Sequence, residues 1–196
     1  SDHGTMIFSL PNLKKMVGRG YINALNFEHV TYLPEDLVEH LLLWYGFSIE
    51  EKQYYLEDHS IFYYCKKSPP NPSLTYDNKK NIETVRGFYE RSLQEIQSLN
   101  EKIRSENTEA SIYLFGAHIF SQFYLTNGLD SERIIEILDN DGTKQSCRLY
   151  GTNLMVNNPN SISGVENPVV ILKVGAYRHE IISQLQQINS DVKIIE

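Results

Sequence analysis

The hydrophobic positions in the C-terminal half of the chain form short apolar runs separated by segments with helical spacing. Continuous apolar runs are typical of parallel strands that are buried on both faces. The predicted strands are Ile112–Phe115, Ile134–Leu138, a short one near Leu154–Val156, and Pro168–Val174. Helices are predicted for 117–127 and 180–189. This alternation predicts an α/β domain with a Rossmann-like parallel sheet.

The first 67 residues have a different pattern. Met6–Leu10 is a short apolar strand, and Pro34 begins a helix whose apolar positions recur at helical spacing until Gly46. Phe47–Leu56 and Ser60–Cys65 follow as two strands, which we expect to form an antiparallel pair at a sheet edge. One strand, one helix and a hairpin do not enclose a core, so this region is predicted to be part of a larger sheet.

A proline-rich segment, Ser68–Ser73, separates the two halves and predicts a linker. Apolar residues at helical spacing then predict a helix from Asp77 or Asn78 to about Ser105. Its length suits a connecting helix better than a coiled coil, and a homodimer through this helix is a further expectation. The predicted organisation is vector-derived residues 1–5, a first region 6–67, the linker and long helix 68–108, and the α/β domain 109–196.

Composition narrows the functional classes. The formal net charge of −7 disfavours a broad nucleic-acid surface, which requires a basic face, but leaves room for a small ligand. No apolar run is long enough to span a membrane. Cys65 and Cys147 have no C-x-x-C partner, so neither a metal quartet nor a disulfide framework is predicted. A reduced, cytoplasmic setting is therefore the expectation.

Three polar or glycine-containing loops follow the predicted parallel strands. Loops at the carboxyl ends of such strands meet at one edge of the sheet, where nucleotide-like ligands bind. Gly116, Ala117 and His118 follow the first strand, and small residues there let a ligand approach the backbone or let a helix pack on the strand. The glycine spacing of a dinucleotide site is lacking, so a dinucleotide is not predicted.

The second and third loops supply further candidate ligand contacts. Asp139 and Asn140 end the second strand, where an acid can bind ribose or sugar hydroxyls, although Asp-Gly at 141–142 is also an ordinary turn. The remaining candidates are Lys144 and Arg148 for a diphosphate, Tyr150 in the pocket floor, and Gly175 and Tyr177 after the strand that ends near Val174.

The sequence resembles known methyltransferases in two places. The motifs IFSLPN, NFEHVTYL, WYGF and DHSIFYYCKK, within residues 6–67, resemble the last third of a class I S-adenosylmethionine-dependent methyltransferase domain. The motifs FGAH, LDND, KQS, RLYGT and VILKVGAYRHEI, within residues 111–196, resemble the C-terminal Rossmann-like domain of bacterial sugar C-methyltransferases. The two resemblances occur in the order found in that family.

The resemblance implies specific roles for several residues. His29, next to Glu28, would be the base that deprotonates the substrate, and His59 at the hairpin mouth would be a second acid or base. The family's usual Y-x-E-H motif has a tyrosine where this chain has Asn26, so O- or N-methyl transfer stays open. A structural role is the alternative for both histidines, and it is favoured for His59.

The family binds its cofactor on a glycine-rich turn and an acid that precede the strand at Met6. These 196 residues do not contain them, so the parent enzyme is expected to use S-adenosylmethionine and this chain to bind none. The expected function is the C-terminal part of a methyltransferase acting on a nucleotide-linked sugar or surface-polysaccharide precursor. Two alternatives remain, a non-catalytic nucleotide-sugar-binding module and a protein-interaction domain.

Overall fold

The computed structural model describes residues 4–25, 31–56, 59–173 and 177–196. The chain divides into two compact units, Ser1–Glu90 and Arg91–Glu196, with the boundary inside the longest helix. The elements of the first unit are β1 (Thr5–Pro11), α1 (Leu13–Gly18), a 3₁₀ turn (Ile22–Leu25), α2 (Glu35–Trp44), β2 (Phe47–Tyr55), β3 (Ser60–Lys67) and the beginning of α3 (Lys79–Ser105).

The first unit contains a three-stranded antiparallel sheet in the order β1-β3-β2. The predicted β2–β3 hairpin is present, but β3 is not at a sheet edge, because β1 pairs with its other side; β1 and β2 are the edge strands. Tertiary pairing, which local periodicity does not encode, decides this point. The central position of β3 explains its alternating burial, with Ile61, Tyr63 and Cys65 at most 2% exposed.

Helix α2 packs on one face of this sheet. Val38 and Leu42 contact the buried side chains of β3, and together they form the core of the unit. Glu35 and Asp36 lie in the first turn, where the helix dipole favours negative charge, and Pro34 is the N-cap. Gly46 ends the helix with a φ of +83°, and a Cβ there would lie 2.7 Å from the Ser68 carbonyl oxygen. The predicted start and end of this helix are therefore confirmed.

The proline-rich segment is attached to α2 by hydrogen bonds. The Asn71 amide donates to the Leu43 carbonyl of α2 at 3.1 Å. After the segment, the Tyr76 hydroxyl donates to Asp36 Oδ2, also on α2, at 2.7 Å. The segment therefore packs within the first unit before α3 begins.

The second unit contains the parallel sheet that the apolar runs predict. Its elements are the C-terminal part of α3, β4 (Ile112–Phe115), α4 (Ile119–Thr126), β5 (Ile134–Leu138), β6 (Val156–Asn157), a 3₁₀ turn (Pro159–Ile162), β7 (Val169–Leu172), α5 (Arg178–Ile188) and β8 (Lys193–Ile195). All neighbouring strands are parallel, in the order β6-β5-β4-β7-β8. The α/β prediction is confirmed, and the strand order is consistent with a Rossmann-like fold.

Both faces of this sheet are buried. On one face, Leu185 of α5 packs into a cluster with alternate strand residues, which are Tyr113, Phe115, Leu138, Val170 and Leu172. The intervening residues point to the opposite face and are at most 4% exposed, namely Ile112, Leu114, Ile134, Ile137, Val169 and Ile171. Burial on both faces explains why these strands read as continuous apolar runs.

Several predicted boundaries differ from the structure, and three of the differences have a clear cause or lie near the parallel sheet's carboxyl edge. Helix α4 begins at Ile119 rather than 117, because His118 is its N-cap. Strand β6 covers only Val156–Asn157, because the preceding residues fold back as a hairpin in which the Leu149 amide donates to the Leu154 carbonyl. Helix α5 begins two residues earlier than predicted, at Arg178.

In the part of the chain that the structure describes, none of the helices is both long enough and apolar enough to cross a membrane.

Candidate functional site

The candidate site is a cavity of about 640 Å³ in the second unit. Its walls come from the segments that follow β4, β5 and β7. Strands β4 and β7 are neighbours in the sheet, whereas β5 lies on the other side of β4, so the chain order reverses between β4 and β7. Ligands of open α/β sheets bind at the carboxyl ends of the strands beside this reversal. The lining residues are Phe115, Gly116, His118, Ile119, Phe120, Asp139, Asn140, Lys144, Tyr177, Glu180, Ile181 and Gln184.

The turn between β4 and α4 depends on Gly116 and His118. Gly116 has a φ of +102°, and a Cβ at this position would overlap the His118 imidazole. His118 Nδ1 accepts a hydrogen bond from the Phe120 amide at 3.3 Å and so caps α4. Because Nδ1 is the acceptor, the neutral ring carries its proton on Nε2.

The electrostatic surroundings of His118 favour this neutral form. Burial lowers the pKa of His118, Asp139 opposes that change, and Lys144 adds to it, so the net direction is downward. A neutral ring keeps the Nδ1 lone pair that the helix cap requires. The protonation state of His118 and the start of α4 are thus linked.

Asp139 connects the loop after β4 with the loop after β5. Its Oδ2 accepts the Ala117 amide hydrogen at 2.6 Å, and its Oδ1 accepts that of Asp141 at 2.8 Å. The side chain of Gln145 donates to the Asp139 carbonyl at 3.0 Å. The residue is 8% exposed, and its carboxylate fixes two backbone turns. The sequence predicted an acid that binds ligand hydroxyls here, and the structure gives this acid a structural role in addition.

Lys144 lies at the edge of the cavity between two acids. Its ammonium nitrogen is 3.5 Å from Asp139 Oδ2 and 3.8 Å from Asp141 Oδ2. Hydrogen bonds from Thr143 to Asp141, together with Lys144, lower the pKa of Asp141. The charge of Lys144 is therefore offset by the protein's own carboxylates.

Helix α5 supplies the part of the cavity that sequence reasoning largely missed. Tyr177 was predicted, but Glu180, Ile181 and Gln184 were not. Glu180 and Ile181 lie four and three residues before Gln184 along the helix, so both lie beside Gln184 on one face. Gln184 and Asn140 exchange two hydrogen bonds of 2.8 Å each, which link α5 to the loop after β5. The helical spacing of residues after β7 was the sequence signal that could have indicated this face of α5.

Some predicted residues lie elsewhere. Arg148 and Tyr150 line a separate cavity of about 520 Å³, so the structure does not bring Arg148 and Lys144, the predicted diphosphate contacts, together in one cavity. The hairpin between Ser146 and Val156 carries both residues away from the Lys144 cavity. Ala117 is buried and contributes its amide to Asp139 rather than a surface to the cavity. Gly175 lies outside the described residues.

The predicted catalytic residues belong to the first unit. His59 is exposed, its Nδ1 lies 2.8 Å from Ser60 Oγ, and its amide donates to the Tyr55 carbonyl at 3.0 Å. It lines a small cavity of about 200 Å³ with residues that include Lys15, Arg19 and Tyr21. Glu28 and His29 lie outside the described residues. Within the described part of the chain, no group of three His, Cys, Asp or Glu side chains has an arrangement suited to a metal ion.

The fold and the cavity define an α/β protein with a parallel-sheet unit and a candidate ligand site at its carboxyl edge. No protein-family model matches the chain, and no curated protein matches it either.

Proposed function

We propose that the chain is the C-terminal part of an S-adenosylmethionine-dependent methyltransferase acting on a nucleotide-linked sugar or surface-polysaccharide precursor. The second unit would contribute the substrate-binding cavity. In the first unit, His29 beside Glu28 would act as the base, and His59 would be a second acid or base. The setting would be cytoplasmic.

One observation carries the proposal for the second unit. Segments after three parallel strands converge on a single cavity beside the reversal of strand order, which is the usual ligand position in open α/β sheets. The cavity combines aromatic and aliphatic walls with a few polar groups, as small-molecule sites do. This composition supports a ligand that has both a ring and hydroxyl groups, and a nucleotide sugar has both.

The first unit supports the methyltransferase part of the proposal through the order of its elements. The resemblance implies a strand, a loop, a helix ending in WYGF and a closing antiparallel hairpin. Strand β1, helix α2 and the β2–β3 hairpin occur in that order. The pairing of β1 with β3 joins β1 and the hairpin in a single sheet.

The described residues do not fit S-adenosylmethionine itself. The only described turn that follows a parallel strand and begins with glycine is Gly116–His118, where the imidazole packs against the glycine Cα. The acid at the end of the next strand, Asp139, already accepts two backbone amide hydrogens. We therefore derive no methyl-transfer step from these residues, and the proposal assigns cofactor binding to sequence beyond them.

Isothermal titration of the full chain with uridine- and thymidine-diphosphate sugars, and with S-adenosylmethionine, tests the proposal. We expect binding of a nucleotide sugar and none of the cofactor. Tyr177→Ala should weaken binding at least about fivefold, because Tyr177 lines the cavity and an aromatic contact contributes about 1 kcal/mol. Tyr150→Ala is the matched control, since this exposed tyrosine lines a different cavity. Tight cofactor binding, or equal effects of the two variants, would contradict the proposal.

A non-catalytic nucleotide-sugar-binding module is the second candidate. It is favoured by the fact that every described lining residue of the cavity belongs to the second unit. Methyl transfer by the parent enzyme after substitution of His29 would separate the two functions. Full activity of a His29→Ala enzyme would favour the module.

An interaction domain remains a further possibility for α3. Ile82 is 51% exposed and Tyr89 is 41% exposed on the part of α3 that belongs to the first unit. Sedimentation equilibrium of the chain and of an Ile82→Lys variant tests a homodimer through this helix. A dimer that the variant dissociates is the expected result, and a monomer at all concentrations would contradict it.

A further inference from the structure

The negatively charged carboxylate of Asp139 lies at the turn after β4, where it accepts a backbone hydrogen bond. In Rossmann-like sites the backbone amides of this turn and of the following helix bind a phosphate of the ligand. Here the Gly116 amide donates to the Leu138 carbonyl at 2.7 Å, and the Ala117 amide donates to the Asp139 carboxylate at 2.6 Å. The Phe120 amide donates to the imidazole of His118. Acceptors of the chain therefore occupy three of the amides that could bind a phosphate at this turn, and one of these acceptors is a carboxylate.

The other charges around the cavity do not favour a phosphate either. Lys144 lies within 4 Å of the carboxylates of both Asp139 and Asp141. Glu180 lines the opposite wall on α5. The only other titratable group of the lining besides Tyr177 is His118, which burial keeps neutral. The described lining thus presents two carboxylates and one ammonium group, an arrangement that repels a phosphate dianion.

The remaining walls suit an uncharged ring. The apolar lining consists of aromatic and aliphatic side chains, which are Phe115, Ile119, Phe120, Tyr177 and Ile181. Flat aromatic groups gain from stacking on such side chains. Asn140 and Gln184 provide amide groups, and Glu180 provides an acceptor for a hydroxyl. A nucleoside has a flat base and a ribose with free hydroxyls, and it is uncharged.

We infer that the cavity binds the nucleoside portion of its ligand, with the Asp139 carboxylate in the place of a phosphate and the ligand's phosphates outside. Asp139 is then a specificity-determining residue, and Lys144 is its counter-ion rather than a phosphate ligand. The inference rests on the proposed function, because it names the part of a nucleotide sugar that the same cavity recognises.

Titrations of the full chain with uridine, thymidine, the two nucleoside diphosphates and pyrophosphate test the inference. We expect a nucleoside and its diphosphate to bind with dissociation constants within about threefold of each other, and pyrophosphate not to displace the nucleoside. The affinity for the diphosphate should not fall when the salt concentration rises from about 50 to about 500 mM, because no ion pair with phosphate is lost.

Two variants give independent tests. Asp139→Asn removes the charge in the turn and should raise diphosphate affinity at least about fivefold relative to the nucleoside. Glu180→Gln removes a charge that contacts no described backbone amide, so it tests the same repulsion even if Asp139→Asn fails to fold. Because both ligands would lose the same hydroxyl contact, it should raise the affinity for the diphosphate about twofold relative to the affinity for the nucleoside.

The outcomes also separate the inference from the proposed function. A diphosphate that binds more than about tenfold tighter than its nucleoside, or displacement by pyrophosphate, would overturn the inference while leaving nucleotide-sugar binding in place. Binding of a nucleotide sugar without binding of any nucleoside would do the same. If neither nucleosides nor nucleotide sugars bind, the proposed function falls, and the inference falls with it.

Discussion

The His118 cap predicts that the second unit loses stability at mildly acidic pH. The imidazole accepts the Phe120 amide hydrogen only when Nδ1 is unprotonated, and burial lowers the pKa of His118 in the folded protein. The unfolded chain therefore binds a proton near its usual pKa of 6.5 while the folded chain resists protonation. Stability is complete above that value and decreases as the pH falls below it.

The maximum size of the effect follows from this linkage. If the folded protein takes up no proton at His118, lowering the pH from about 7.5 to about 5.5 removes at most about 1.4 kcal/mol. At a urea dependence of about 2 kcal/mol per molar, the unfolding midpoint would shift by up to about 0.7 M. The pH range from about 5.5 to about 7.5 lies above the usual pKa of the carboxylates, so titration of the carboxylates contributes little to the change in stability.

His118→Asn isolates the effect, because asparagine is a good helix N-cap that does not titrate. Urea unfolding followed by circular dichroism should show a smaller loss between the two pH values for the variant than for the wild type. Hydrogen exchange at the Phe120 amide should accelerate on acidification, after correction for intrinsic rates, only in the wild type. Fluorescence of Trp44, the single tryptophan, reports on the first unit and serves as an internal control. Equal losses in the two proteins would refute the reasoning.

Three substitutions test other contacts. Gly116→Ala should destabilise the second unit by about 2 kcal/mol, because φ is positive and the new Cβ displaces His118. Leu185→Ala should cost about 3 kcal/mol, since this fully buried side chain joins α5 to the sheet. Glu35→Gln should cost less than about 1 kcal/mol at neutral pH, because the ion pair with Lys52 is partly exposed. Partial burial acts against it, but hydrogen bonds from Lys52 and Tyr54 lower the pKa of Glu35 overall. The difference should therefore decrease as the pH falls below the usual value of 4.5, and it should vanish below the lowered pKa of the folded protein.

The same unfolding measurements check these three variants. Leu185→Ala and Gly116→Ala should leave the Trp44 fluorescence transition unchanged, whereas Glu35→Gln should alter that transition alone. Asp191→Asn is a control for the second unit, because the exposed side chain of Asp191 lies outside its core. A Leu185→Ala cost below about 1 kcal/mol would contradict the assignment of Leu185 to the core.

The strands of the second unit were predictable to within a few residues, and two of them without error. Ile112–Phe115 is buried on both faces and entirely apolar, so its boundaries are sharp. Ile134–Leu138 is apolar except for the half-buried Glu136, and only Ile135 of this run is exposed. The start of α4 was predicted two residues early, because the periodicity does not show that the ring of His118 caps the helix. Strand β6 begins two residues later than predicted, because the residues before it pair with the 146–149 segment.

The candidate site was predictable in position but only partly in composition. The rule that loops after parallel strands converge brought together Gly116, His118, Asp139, Lys144 and Tyr177, all of which line the cavity. The same rule also brought in Arg148 and Tyr150, which line a different cavity, because sequence proximity to Lys144 does not show where a hairpin turns. The contribution of α5 was missed, because which helix face covers the cavity depends on how the helix packs.

The sequence by itself determined the α/β class of the second unit, the antiparallel hairpin of the first and the edge of the sheet at which a site would lie. These follow from local periodicity and from the fixed direction of parallel strands. Only the tertiary structure decided that β3 lies between β1 and β2, and that Asp139 accepts the Ala117 amide hydrogen. Both depend on contacts between residues far apart in sequence, which no local pattern records.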